Sequence, residues 1–93
     1  MKITPYNILK HEIIGLEAEV VDSRHEGYKG IKGLVVDETM NTIVILTSKG
    51  YKRLPKAVSK FKIRLPEGTH VIVDGAYLIG RPEDRLKKVV KRW

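Results

Sequence analysis

The sequence contains no cysteine. That excludes a disulfide framework, a Cys-ligated zinc site and a thiol nucleophile, and it fits a reducing compartment. Aromatic residues are scarce: one Trp, one Phe and four Tyr. Proteins that read single strands base by base stack the bases on exposed rings. Scarcity here favours recognition of a backbone or a helical surface. No uncharged stretch approaches the roughly 18 apolar residues of a membrane span. The opening Met1-Lys2-Ile3-Thr4-Pro5 lacks the apolar run of a signal peptide. The expectation is a soluble, cytoplasmic protein with no membrane partner. At 93 residues it is read as a single domain, residues 1–93. A chain this short buries only about 60% of its unfolded surface, which leaves little room for a deep cleft.

What is abundant is positive charge. Lys and Arg number 18 against 11 Asp and Glu, for a net charge of +7. Residues 49–64 hold seven cations (Lys49, Lys52, Arg53, Lys56, Lys60, Lys62, Arg64) and no acid. Residues 81–93 hold six (Arg81, Arg85, Lys87, Lys88, Lys91, Arg92) against Glu83 and Asp84. The remainder of the chain carries a net −4. Segregation of this kind is the electrostatic footprint of a polyanion binder, and nucleic acid is the commonest polyanion. The bland alternative is a solvated, lysine-rich sheet edge that discourages strand pairing.

Thr4 and Pro5 suit the N-cap and first position of a helix. Tyr6, Leu9 and Ile13 follow at helical spacing, and Gly15 ends the run. Short strands come next. Leu16, Ala18 and Val20 alternate with Glu17 and Glu19. A polar loop over 24–30 leads to a strand over 31–36, with Gly33 marking a bulge or bend. A turn at 37–41 precedes the β-branched Thr42–Thr47 run, and a second turn at 48–50 precedes a short strand over 51–54 stopped by Pro55. Phe61, Ile63 and Leu65 alternate with Lys60, Lys62 and Arg64, and Val71 to Val73 forms a strand ended by Asp74-Gly75. A further strand over 76–79 is possible in this pattern. Regular short strands with polar turns make an all-β fold, a small bent antiparallel barrel. Pro82 then opens a C-terminal helix whose stripe is Leu86, Val89, Val90 and Trp93, with Lys87, Lys88, Lys91 and Arg92 off it.

As a strand, 60–64 places Lys60, Lys62 and Arg64 on one face at about 6–7 Å spacing, close to the phosphate repeat of a nucleic-acid strand. Lys52, Arg53 and Lys56 are expected to extend that row from the neighbouring strand. Tyr51 and Tyr28 are the rings placed to stack a base; Phe61 belongs to the core. Arg81 and Arg85 lie one helical turn apart, either as a charged helix start or with one guanidinium facing phosphate. His11, His25 and His70 show no metal-ligand spacing, so no metal site is expected. Asp37, Glu38 and Asp74 could gather around Mg²⁺, but turn formation explains them more simply. No catalytic residue and no cofactor of this chain is assigned.

Three blocks in order resemble one family: Asn7-Ile8-Leu9-Lys10-His11-Glu12-Ile13-Ile14-Gly15, Gly33-Leu34-Val35-Val36-Asp37-Glu38-Thr39-Met40-Asn41-Thr42, and Arg81-Pro82-Glu83-Asp84-Arg85. They look like the ribonuclease P protein component 1 family, and the compact length is similar to an archaeal member. The resemblance implies an Sm-like (SH3-like) bent barrel flanked by a short N-terminal and a C-terminal helix. It implies a protein subunit supporting 5′-leader removal from precursor tRNA, with the RNA subunit performing the chemistry and taking the Mg²⁺. It further implies contact with ribonuclease P RNA, indirectly with precursor tRNA, and with the zinc-ribbon protein subunit and others of the complex. On that reading the RNA-binding residues are Lys49, Lys52, Arg53, Lys56, Lys60, Lys62, Arg64, Arg81, Arg85 and Lys88. The protein-partner residues are Tyr6, Leu9, Ile13, Leu86, Val89, Val90 and Trp93. The rivals are a ring-forming Sm-like RNA chaperone, a metal-dependent nuclease and a ribosomal protein of the SH3-like class.

Overall fold

The computed structural model describes residues 12–80 and the backbone of 91–92. Seven strands run in chain order: β1 (Glu17–Ser23), β2 (Lys32–Glu38), β3 (Thr42–Thr47), β4 (Gly50–Pro55), β5 (Ser59–Arg64), β6 (His70–Asp74) and the two-residue β7 (Lys91–Arg92). All pairs are antiparallel, in the order β4-β3-β2-β1-β5-β6-β7. Period-2 alternation drives this arrangement: inward residues are apolar and most outward ones polar. Val20, Val35, Ile43, Ile45, Leu54, Phe61, Ile63, Val71 and Val73 are all buried in one core cluster. Each such side chain contributes on the order of 1.5–3 kcal/mol on burial.

The sheet bends so that its two wings share that core. A bulge between Val20 and Asp22 shifts the β1–β5 register, and one between Val35 and Asp37 shifts the β2–β3 register. The bulge in β2 falls at Val35–Asp37 rather than at Gly33 as expected; at Gly33 the strands approach closely, and a Cβ there would stand 2.0 Å from the Leu46 carbonyl oxygen. The bend does not become a closed barrel among the described residues. The outer edge of β6 is taken by β7, with Val71 opposite Arg92 and Ile72 opposite Lys91, so β6 and β4 do not pair. The barrel expected from the sequence is therefore an open, bent antiparallel sheet.

The expected helices need correction where the chain is described. Most of the N-terminal one, with Tyr6 and Leu9, lies outside the described residues. Its expected end, 12–15, is not helical. Leu16 N–H donates to the Ile13 carbonyl at 3.1 Å, Gly15 adopts φ +93°, and its N–H donates to the Val35 carbonyl at 2.8 Å. This is a turn that hands the chain into β1. Ile13, expected on a partner surface, is fully buried in the core instead. Residues 81–90 of the expected C-terminal helix are outside the description, and so are Arg81, Arg85, Leu86, Lys88, Val89, Val90 and Trp93. Lys91 and Arg92 are extended, because the open edge of β6 offers backbone partners. Residues Gly75–Leu78 form a 3₁₀ turn rather than a strand, capped by Asp74, whose Oδ1 accepts from Ala76 N–H at 3.0 Å.

Candidate nucleic-acid interface

The β5 row is built as its alternation demands. Phe61 and Ile63 are fully buried, while Lys60, Lys62 and Arg64 face outward. The neighbours in register are the surprise. Arg64 lies opposite Glu17, Lys62 opposite Glu19 and Lys60 opposite Asp22, all on β1. On the other side Asp74 of β6 lies opposite Lys60. Arg64 Nη1 stands 3.6 Å from Glu17 Oε2, with both side chains more than half exposed. A pair that exposed adds little stability, yet the acids lower the positive potential of the row. The stretch is free of acid only along the chain; the sheet brings acids to it from strands far away in sequence. A shallow groove of about 460 Å³ crosses this outer face, lined by both signs: Glu17 and Glu19 with Lys32, Lys62, Arg64 and His70.

Lys56 is not a surface cation at all. It is fully buried, and its Nζ donates to Glu38 Oε2 at 2.7 Å and to the carbonyls of Thr39 at 2.7 Å and Leu78 at 2.8 Å. A buried ammonium persists only when paired and hydrogen-bonded, and here it is both. Its expected role in holding phosphate is corrected to a structural one. Glu38, the partner that sequence reading assigned to a turn, is the counter-ion, 18 positions away. No local spacing links the two, so nothing in the pattern pointed to the pair.

The β3–β4 hairpin holds three cations with no acid on either of its strands. Lys49, Lys52 and Arg53 are exposed, and residues 39–66 contain no Asp or Glu. Gly50 takes φ +108° at the turn. The turn is fixed by Thr47 Oγ1, which accepts from Lys49 N–H at 3.1 Å and donates to the Gly50 carbonyl at 2.8 Å. Arg53 Nη1 donates to Thr42 Oγ1 at 3.2 Å. Among the described residues, the outward acid on the same row is Asp37, opposite Val44, which is itself opposite Arg53. It therefore stands two strands from the guanidinium, roughly 10 Å. An exposed basic edge with a fixed arginine can neutralise phosphates.

A family model, described as ribonuclease P/MRP, subunit p29, matches residues 6–88. The chain belongs to that family. Ribonuclease P protein component 1 of Thermofilum pendens is 55% identical over the full length of both chains. That of Methanosphaera stadtmanae is 50% identical, covering 92% of each. That of Pyrococcus abyssi is 46% identical, covering 99% of this chain and 72% of the relative. The solved structure of Mth11, described as a homologue of human RNase P protein Rpp29, aligns with a TM-score of 0.59 at 43% identity, covering 82% of this chain and 99% of that one.

In this member of the p29 family the other candidate groups are dispersed. Tyr28 stacks on His25, ring centroids 4.3 Å apart, and packs against the core. Its face is thus occupied, whereas Tyr51 stands open. Asp37 accepts from Glu38 N–H at 2.8 Å, Glu38 is committed to Lys56, and Asp74 caps the 3₁₀ turn. Among the described residues no three His, Cys, Asp or Glu side chains gather as metal donors, and no helix is long and apolar enough to cross a membrane.

Proposed function

We propose that this ribonuclease P subunit performs no bond chemistry of its own and works by binding RNA. Cations of the β3–β4 hairpin, with those of the β5 row and of Arg81, Arg85 and Lys88, neutralise phosphates of the catalytic RNA. Each contact releases condensed counterions and lowers the repulsion that folding of the RNA must overcome, so less Mg²⁺ is needed to hold substrate. Precursor tRNA is served indirectly, and the Mg²⁺ belongs to the RNA. The zinc-ribbon protein subunit is the proposed protein partner, meeting Tyr6, Leu9 and the stripe of Leu86, Val89, Val90 and Trp93. The cytoplasm is the proposed compartment.

The observation that carries this reading is the exposed, acid-free basic hairpin, set apart from Glu38, which pairs with Lys56, from Asp37 and Asp74, which accept from turn N–H groups, and from Glu17, Glu19 and Asp22, which lie opposite the β5 cations. The named relatives, all ribonuclease P components, support it. The test is incubation of the purified chain, free of RNA, with precursor tRNA and Mg²⁺. The substrate is expected to stay intact. Cleavage that disappears in Asp37→Ala would establish a protein nuclease and overturn the proposal.

A further inference from the structure

We infer that Tyr51 is a stacking platform for one unpaired base of RNA, with Arg53 and Lys49 holding the adjoining phosphates. This rests on the RNA-binding reading above and adds to it a place on the sheet and a form of RNA.

Tyr51 is 70% exposed, the most open large apolar side chain among the described residues. Nothing in the fold requires a ring there. Across the sheet, Tyr51 lies opposite Leu46 and Leu46 opposite Leu34, which are themselves 37% and 41% exposed. The outer face thus carries an apolar strip three strands wide, about 10 Å, beginning at the edge strand β4. An apolar strip alone suits a protein as well as a base. Charge decides between them. The aromatic end of the strip stands within residues 39–66, which hold cations and no acid, and the residues opposite Tyr51 and Arg53 on β3 are the apolar Leu46 and Val44.

The cations are placed for a nucleotide. Arg53 is two residues further along β4 on the same face, roughly 6–7 Å from Tyr51. Its Nη1 is tied to Thr42 Oγ1 at 3.2 Å, which orients the planar fork that suits phosphate oxygens. Lys49 is held at the tight turn on the other side of Tyr51 by its N–H to Thr47 Oγ1. A ring flanked by two cations, the Arg53 guanidinium held by Thr42 and Lys49 placed by the turn, matches a base between its two phosphates. The base must be unpaired, because the faces of bases within a duplex are covered by their neighbours. Stacking is tolerant of sequence, since every base has a π-face.

The test uses the full chain with transcribed ribonuclease P RNA, measuring affinity and its salt dependence for wild type, Y51F, Y51L, Y51A and a K49A/K52A/R53A variant. Tyr51 is outside the core, so circular dichroism is expected to show all Tyr51 variants folded. Y51A is expected to weaken binding about 5- to 150-fold with the salt slope unchanged. Y51F is expected to bind as wild type, and Y51L as weakly as Y51A. Wild-type affinity in Y51A overturns the inference. So does full rescue by Leu, which would mark a merely apolar contact. Loss of assembly with a protein subunit at unchanged RNA affinity would assign the strip to a protein and overturn it too. A flattened slope in the cation variant beside a normal Y51A defeats stacking alone; failure of wild type to bind the RNA defeats the RNA-binding reading with it.

Discussion

Lys56 Nζ and Glu38 Oε2 stand 2.7 Å apart with side chains 0% and 5% exposed, and the same Nζ donates to the carbonyls of Thr39 and Leu78. The pair ties the β2–β3 turn to the 3₁₀ turn at Gly75–Leu78. Removing one partner leaves an uncompensated buried charge. Lys56→Ala is expected to cost about 3–5 kcal/mol in denaturant melts. The double variant Lys56→Met with Glu38→Leu is expected to recover much of that loss, because neither charge is then stranded. If both single losses add in the double variant, the pair is not coupled as described.

Gly33 and Gly75 are the two glycines at which a side chain has nowhere to go. A Cβ at Gly75 would stand 1.7 Å from the Lys56 carbonyl oxygen, and one at Gly33 would stand 2.0 Å from that of Leu46. Gly33→Ala is expected to force β2 and β3 apart and destabilise by roughly 1–3 kcal/mol, the usual penalty of overpacking. A melt unchanged from wild type would show that the β2–β3 approach is looser than it is here.

Much of this fold was legible in local pattern, because a half-buried strand announces itself by alternation. Thr42–Thr47 has the bounds read from its β-branched run, and Phe61 and Ile63 point inward as their spacing demanded. What alternation cannot supply is which strand lies next to which. The pairing of β1 with β5 joins residues about 40 positions apart, and it alone sets Glu17, Glu19 and Asp22 beside Arg64, Lys62 and Lys60. Lys56 failed for the same reason: its burial depends on Glu38, Thr39 and Leu78 converging from three segments. The turn at 12–15 replaced a helix end because Gly15 could bond to Val35, again a tertiary partner.

The acids opposite β5 give a variant that should gain function. Glu17→Gln with Glu19→Gln removes two negative charges from the cationic row without changing its shape. The double variant is expected to bind ribonuclease P RNA more tightly than wild type. Its salt slope should steepen by up to roughly 0.7–0.9 for each newly effective phosphate contact. Unaltered affinity and slope would mean that RNA does not reach the β5 face.

The decisive comparison is the salt dependence of RNA affinity for wild type beside the protein lacking its hairpin cations, Lys49, Lys52 and Arg53, each replaced by Ala. Expected is a log–log slope shallower by about 2–3 in the variant, near one lost counterion per cation removed. Identical slopes in the two proteins would contradict phosphate neutralisation by this hairpin, and with it the account of what the charge on this sheet is for.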